Sequence, residues 1–185
     1  GWRKLRYAWS EREVQARLCS PGLSRKWFLF PLQVHNDAQV TEHSPFGGMP
    51  EAIRDVMISF AEHAPSNLGL VLKHHPMDRA YSDHSELIRG LARELDLEGR
   101  VHYVHDLHLP TLLKHARGVV TVNSTAGLQS LHHGTPVCVL GDAIYDMAGL
   151  THQLGLESFW TAPAEPDRGL YDRFKAEVVR RCQVN

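Results

Sequence analysis

The residues best able to do chemistry follow short apolar runs, where buried strands would end. One such group is Lys73-His74-His75-Pro76. Pro76 favours an extended conformation at His75, and an imidazolium at a strand end can bind a phosphate or assist its departure. An ordinary core or surface position is the alternative for each histidine. The segment indicates a phosphate contact without excluding that alternative.

A second group, Asn123-Ser124-Thr125, precedes a segment of helical pattern with Gly127 in its first turn. Hydroxyls and unpaired backbone N–H groups at a helix start form an anion site. The alternative is that Ser124 or Thr125 only caps the helix. No Walker loop is present, and no Gly-x-Gly-x-x-Gly follows the first apolar run, which disfavours P-loop and classical dinucleotide sites.

Carboxylate, metal and thiol chemistry receive less support from the sequence. Asp37 fits a nucleophile, a general base or a turn residue. The 13 histidines suggest a metal, but His102, His105 and His108 straddle a predicted strand and its loop, and no His-Glu-x-x-His motif occurs. Cys138 lies in an apolar run, which is typical of a buried thiol. We predict no metal site.

The elements that carry these groups alternate between apolar runs and helical periodicity. The predicted strands are Trp27–Leu32, Leu68–Lys73, Val101–Val104, Gly118–Val122 and Pro136–Leu140. The predicted helices between them are Pro50–Ala64, Ser82–Leu97, Pro110–Ala116 and Thr125–His133. This order indicates a doubly wound, Rossmann-like parallel sheet covered on both faces. Such sheets bind ligands beyond the carboxyl ends of their strands, where the polar groups lie.

Length and composition fit one α/β domain with two flanking segments. The 185 residues are 43% hydrophobic and 22% charged, as in globular proteins. A net charge of −1 gives no general case for nucleic acid. We predict an N-terminal helix or inter-domain segment over 1–26, the Rossmann-like domain over 27–161 and a tail helix over 162–185. Segment 1–26 holds seven basic residues and two glutamates, which suits a solvated helix, a domain contact or anionic lipid.

Five blocks of sequence carry a family resemblance. They are Pro31–Asp37, Lys73–Arg79, Tyr103–Asp106, Asn123–Leu128 and Leu140–Asp146. Taken in order, they resemble the capsule polysaccharide biosynthesis and export proteins of Gram-negative bacteria, and the similarity continues to Trp160. Within that family the chain is similar to members that place the first Kdo residue on a phosphatidylglycerol-type lipid.

The resemblance implies a retaining glycosyltransferase that uses CMP-β-Kdo to build a β-linked Kdo linker. The family is similar to GT-B enzymes, in which two Rossmann-like halves face each other and the C-terminal half binds the nucleotide. We expect this chain to be that donor-binding half, and its start at Gly1 rather than Met supports the expectation. Whether the half alone is active is left open.

The resemblance also implies how the polar groups hold the donor. His75 would contact the CMP phosphate, with Lys73 nearby. Ser124 and Thr125 would bind the same phosphate at the helix start, with Asn123 shaping the turn.

Retention of configuration implies a double displacement, which needs a carboxylate nucleophile. Asp37 is the candidate for that role, with His75 as the second catalytic residue at the phosphate and Gln33 lining the donor site. The acid/base carboxylate that retaining chemistry usually adds is unassigned, and Asp106 is a weaker candidate.

The implied partners are a nucleotide-sugar donor, a glycolipid or phospholipid acceptor, the N-terminal half of the enzyme and other capsule assembly and export proteins. No cofactor or nucleic acid is expected, and the location would be peripheral, at the cytoplasmic face of the inner membrane. The rival interpretations are a CDP-glycerol phosphotransferase, a nucleotide-sugar epimerase, a non-catalytic nucleotide-binding module and a metal-dependent hydrolase. Product analysis with CMP-Kdo separates the first two, a turnover assay separates the third, and metal analysis separates the fourth.

Overall fold

Five parallel strands form one sheet at the centre of the domain. A computed structural model describes residues 12–34, 40, 42–78 and 82–182. The strands are β1 (Trp27–Pro31), β2 (Gly69–Lys73), β3 (Val101–Val104), β4 (Gly118–Thr121) and β5 (Val137–Val139). They lie in the order β3-β2-β1-β4-β5 with every pairing parallel. The predicted Rossmann-like α/β fold is confirmed.

Helices connect and flank the strands. They are α1 (Met49–His63), α2 (Ser85–Glu94), α3 (Leu109–His115), α4 (Thr125–His132), α5 (Gly155–Phe159) and α6 (Arg168–Cys182). Residues 12–18 are also helical. Pro50 and Pro110 occupy the first turns of α1 and α3, where a missing N–H costs no hydrogen bond. The predicted α2 began three residues too early, because Asp83 Oδ1 accepts from the Ser85 amide and starts the helix there.

Alternate strand residues supply two cores, one on each face of the sheet. Phe28 and Leu70 pack with α1 and α2 on one face. Leu29 and Val71 pack with α3 and Leu18 of the 12–18 helical segment on the other. Burial on both faces explains why the strands are continuously apolar rather than alternating.

The C-terminal segments close over the domain. Trp160, after α5, makes edge-on contacts with Phe28 and Phe60, with ring centroids 4.9 and 5.1 Å apart. Tyr171 of α6 is buried in a third cluster with Leu131. Among the residues that the structure describes, no helix is both long and apolar enough to cross a bilayer.

The strand order creates a crevice between β1 and β4. From β1 the chain proceeds outward to β2 and β3, whereas β4 lies on the other side of β1 and leads to β5. The connections that leave β1 and β4 therefore run to opposite sides, which opens the sheet at the carboxyl ends of these two strands. Ligands of doubly wound sheets bind at such a point.

Candidate functional site

Gln33 and Asn123 meet across the crevice between β1 and β4. The strand register pairs Leu29 with Val119, so four residues further along each chain these two side chains face each other. Gln33 Nε2 donates to Asn123 Oδ1 at 3.0 Å, and Gln33 Oε1 accepts from the backbone N–H of Asn123 at 3.2 Å. Gln33 is only 5% exposed. Two residues predicted separately at the donor site are thus joined in one hydrogen-bonded pair.

The start of α4 follows this pair directly. Ser124 is the N-cap, and its Oγ accepts from the Ala126 amide at 3.1 Å. The capping role suggested as an alternative therefore applies to Ser124. Accepting that bond leaves the Ser124 hydroxyl proton as a donor, because a hydroxyl can accept and donate at once. Thr125 is exposed at the first helical position, and the positive end of the helix dipole lies at this point.

Side chains from other elements fix the backbone at Ser124. Its amide donates to Thr121 Oγ1 at 3.1 Å, and its carbonyl accepts from the Tyr145 hydroxyl. Tyr145 is 3% exposed, and burial raises its pKa. A Cβ on Gly127 would collide with the Tyr145 ring and hydroxyl. Tyr145 was not among the site residues predicted from the sequence, and its one signal there is the glycine in the first turn of α4.

The lysine at the end of β2 braces neighbouring loops. Lys73 is 5% exposed, and its Nζ donates to the carbonyls of His74 and His105 at 3.3 and 3.2 Å. These bonds tie together the segments that leave β2 and β3. The predicted proximity of Lys73 to a donor phosphate stays a prediction.

His75 is the histidine of this segment that reaches solvent. It is half-buried, and its Nδ1 accepts from the Met77 amide at 3.3 Å. In the neutral ring this bond places the proton on Nε2. With Nδ1 accepting this bond, His75 can donate a hydrogen bond from Nε2.

His74 belongs instead to a buried aromatic cluster. Its Nδ1 lies 2.6 Å from the Tyr103 hydroxyl, and its ring contacts those of His84 and His105. Burial lowers the pKa of both His74 and His84 and raises that of Tyr103 to about 12. In the described part of the chain, neither His74 Nε2 nor His84 Nε2 has a hydrogen-bond partner. The core alternative thus applies to His74, and its burial favours the neutral form of the ring.

The two candidate carboxylates are placed differently. Asp37 lies outside the described residues, although its flanks at Gln33 and His43 are described. Asp106 is exposed and lines a groove with Arg12 and Gln15, beside the 12–18 helical segment. The structure therefore associates Asp106 with that segment. The Gln33–Asn123 pair follows β1 and β4, which lie two and three strands away from β3.

Comparisons with known sequences match the whole chain. A family model described as "Capsule polysaccharide biosynthesis protein" matches residues 1–185. The capsule polysaccharide export protein KpsS of Escherichia coli is 44% identical over 184 residues, covering 100% of this chain and 47% of its own length. The capsule polysaccharide modification protein LipB of Neisseria meningitidis serogroup B is 41% identical over 184 residues, covering 99% and 44%. The chain spans about half the length of these relatives.

Solved structures show the same fold at low sequence identity. The beta Kdo 2,7 transferase KpsC of Thermosulfurimonas dismutans matches with a TM-score of 0.53 and 22% identity, over 83% of this chain and 48% of that one. HepE of Anabaena, solved with UDP-glucose, matches with a TM-score of 0.55 and 11% identity, over 90% and 43%. At these identities the similarity concerns the fold alone.

Proposed function

The chain belongs to the capsule polysaccharide biosynthesis protein family, and from this premise we propose that it is the donor-binding half of a glycosyltransferase. The proposed reaction moves β-Kdo from CMP-Kdo to a lipid acceptor with retention of configuration. A relative at 44% identity is a capsule polysaccharide export protein, and a solved protein of the same fold is a beta Kdo 2,7 transferase. Both support this choice of substrate class.

The observation that carries the proposal is the helix start at the crevice. Ser124 and Thr125 stand at the N-terminus of an eight-residue helix, directly beyond the Gln33–Asn123 pair. The dipole of α4 and its first-turn amides favour an anion at this position. A nucleotide phosphate is the anion that doubly wound sheets bind there.

His75 completes the proposed phosphate site from the neighbouring strand. The loops after β1 and β2 leave the sheet side by side, since the register pairs Pro31 with Lys73 and the Leu32 amide donates to the Lys73 carbonyl. With Nδ1 occupied by Met77, Nε2 is the donor for a phosphate oxygen. A charge-assisted bond of this kind stabilises the developing negative charge as CMP departs.

The proposed chemistry is a double displacement with Asp37 as nucleophile. A carboxylate oxygen of Asp37 bonds to the anomeric carbon while the bond to the phosphate oxygen breaks, and CMP leaves with that electron pair. The acceptor hydroxyl then attacks the same carbon, loses its proton to a base, and displaces the carboxylate. Two inversions give net retention. The position of Asp106 beside the 12–18 segment favours a base elsewhere, and we propose that the other half of the enzyme supplies it.

The lipid acceptor implies work at a membrane surface. We propose peripheral association with the cytoplasmic face of the inner membrane, supported by the basic residues of segment 1–26. The matching relatives are about twice as long as this chain. We propose that their additional length forms the acceptor half and that other capsule assembly and export proteins are further partners.

Calorimetric titration of the chain with CMP tests the proposed phosphate site. Loss of a hydrogen bond to a charged group costs about 1.5–3 kcal/mol, so we expect His75→Ala to weaken binding by roughly tenfold or more. His115→Ala is the matched control, because His115 is also half-buried but ends α3, at the opposite edge of the sheet. Unchanged affinity in His75→Ala, or an equal loss in His115→Ala, contradicts the site.

Ser124 needs a substitution that separates capping from phosphate binding. Ser124→Asp keeps an N-cap acceptor for the Ala126 amide but places a negative charge against the phosphate. We expect its thermal unfolding midpoint to stay near that of the wild type while CMP binding is lost. CMP binding at wild-type affinity by Ser124→Asp would show that the phosphate lies elsewhere.

A further inference from the structure

A cavity of about 280 Å³ opens at the amino ends of β1, β2 and β3. One wall comes from the 12–18 helical segment and the turns that follow it, and the rest from the turns that precede β2 and β3. The crevice between β1 and β4 lies at the carboxyl ends of the strands. The cavity is therefore at the opposite edge of the sheet from the proposed donor site.

The charge of this cavity is of one sign. Among the described residues, its lining holds four basic side chains and no acidic one, and the four are Arg17, Lys26, Arg100 and His102. In the same part of the chain, no carboxylate forms an ion pair with either arginine or with the lysine. Partial burial and the charge of Arg17 lower the pKa of His102, so the cluster already opposes a further positive charge. Such a group of cations favours an anionic ligand.

The cations differ in how firmly they are held. Arg100 is half-buried, and its Nε and Nη2 donate to the carbonyls of Leu68 and Pro65 at 3.0 and 2.9 Å. A guanidinium that is fixed in this way loses little conformational freedom when it binds an anion. Arg17 and Lys26 are exposed, and neither side chain forms a hydrogen bond to another described residue. One cation is therefore preorganised, and two are available to turn towards a ligand.

The remaining surface of the cavity is mostly apolar. Leu18 and Trp27 are buried, whereas Val14 and Leu23 are half-buried. Trp27 Nε1 donates to the Leu18 carbonyl at 3.0 Å, so the polar atom of the indole is already satisfied and its ring offers apolar surface. A small inorganic anion needs no apolar wall, whereas an anionic lipid carries apolar chains close to its phosphate. The combination favours a lipid.

We propose that this cavity binds an anionic phospholipid. Arg17, Lys26 and Arg100 surround the phosphate, and the first carbons of the acyl chains lie against Leu23 and Trp27. The inference rests on the proposed membrane association for the source of the lipid. It does not depend on the proposed transfer reaction, because the cavity and the donor crevice lie at opposite edges of the sheet.

Calorimetric titration of the chain with three soluble probes tests the ligand class. Monomeric dihexanoyl phosphatidic acid has the phosphate and the chains, glycerol phosphate lacks the chains, and dihexanoyl phosphatidylcholine balances the phosphate with a positive charge. We expect phosphatidic acid to bind at least about tenfold more tightly than either of the others. No binding of phosphatidic acid, or equal binding of glycerol phosphate, would overturn the inference.

The same titration with saturating CMP locates the lipid. CMP occupies the proposed donor site, so we expect it to leave the affinity for phosphatidic acid unchanged. Competition between the two would place the lipid in the crevice and contradict the proposal. None of these measurements uses a sugar donor. Absence of turnover with CMP-Kdo would therefore refute the proposed function and leave the lipid site standing.

Substitutions of exposed cations separate the cavity from a general attraction to basic surface. We expect Arg17→Gln and Lys26→Gln each to weaken the binding of phosphatidic acid by about tenfold, since each removes a charged hydrogen-bond donor. Arg12→Gln is the matched control, because Arg12 is exposed in the same helical segment but lines a different groove, with Asp106. It should change the affinity by less than about twofold. An equal loss in Arg12→Gln would assign the binding to the charge of the whole segment and contradict the site.

Leu23→Ser tests the apolar wall without changing the charge. We expect the affinity for phosphatidic acid to fall by about threefold or more, with the weak binding of glycerol phosphate unaltered. Thermal unfolding of each variant checks that the fold is retained. Wild-type affinity for phosphatidic acid in both Arg17→Gln and Leu23→Ser would show that the cavity does not hold the lipid.

Discussion

Tyr145 reaches the start of α4 because residue 127 has no side chain. Its hydroxyl donates to the Ser124 carbonyl, and its ring covers the position that a Cβ on Gly127 would occupy. Through this contact a buried aromatic residue from the loop after β5 fixes the backbone of the proposed phosphate site. The glycine thus serves packing, and its role in the site is indirect.

Gly127→Ala should therefore destabilise the domain, because the added methyl group overlaps Tyr145. Overpacking of this kind costs about 1–3 kcal/mol of the free energy of unfolding. Gly90→Ala in α2 is the control, since nothing lies within 4 Å of its Cβ position, and it should gain about 0.5–1 kcal/mol from helix propensity. Urea denaturation of both variants checks the difference, and an equal effect of the two would refute the contact.

Several site residues could be predicted from the sequence because their types are unusual for their positions. Gln33, Asn123 and Ser124 are polar residues that directly follow apolar strands, so they stand out. The backbone carbonyl of His43 does not stand out in this way, because every residue has a carbonyl. Only the folded chain shows that this one accepts hydrogen bonds from both Asn123 Nδ2 and the Asp142 backbone N–H. Tyr145 was missed because an aromatic residue in a loop usually indicates packing.

At the scale of elements, the ends of β2 and β3 are joined by a buried cluster of histidines. His74 and His84 are 2% and 7% exposed, and Tyr103 lies against the His74 ring. Burial lowers the pKa of His74, which the neighbouring His105 lowers further, while Asp78 partly opposes both effects. Burial also lowers the pKa of His84 against the opposing charges of Asp78 and Asp83.

This cluster predicts a loss of stability in mild acid. Because the folded pKa values of His74 and His84 lie below the ordinary value of about 6.5, the unfolded chain binds protons more readily. The contribution of the two neutral histidines to the free energy of unfolding is fully present above about pH 6.5. It is lost as the pH falls through their pKa values in the folded protein. We expect the free energy of unfolding, measured by urea denaturation, to decrease less between pH 7 and pH 5 in His74→Gln than in the wild type. An equal decrease would assign the effect to other groups.

The elements themselves were largely predictable from the sequence. Buried parallel strands are continuous apolar runs, and all five were predicted to within about one residue at each end. α5 was missed because five residues are too few to show helical periodicity. In the predicted N-terminal segment, residues 12–18 are helical and residues 19–26 form turns that lead into β1. Residues 1–11 lie outside the described ranges.

At the scale of the whole molecule, the strand order determines where the proposed site lies, and the chain spans about half the length of its relatives. The crevice between β1 and β4 collects residues from the ends of three neighbouring strands on one edge of the sheet. Relatives about twice as long as this chain provide room for a second half that would bring the acceptor to that edge. The sequence could predict the crevice from the alternation of elements, but not which strands border it, since strand order depends on contacts distant in sequence.

Incubation of the full-length protein with CMP-Kdo, without and with a phosphatidylglycerol-type lipid acceptor, tests the central claim most directly. Peptide mass spectrometry locates the covalent adduct in the first reaction, and analysis of the transferred sugar gives the linkage in the second. We predict a Kdo residue covalently bound to the peptide that contains Asp37, β-linked Kdo on the lipid product, and loss of both in Asp37→Ala. An adduct on another residue together with an active Asp37→Ala variant, or an α-linked product, would contradict the account.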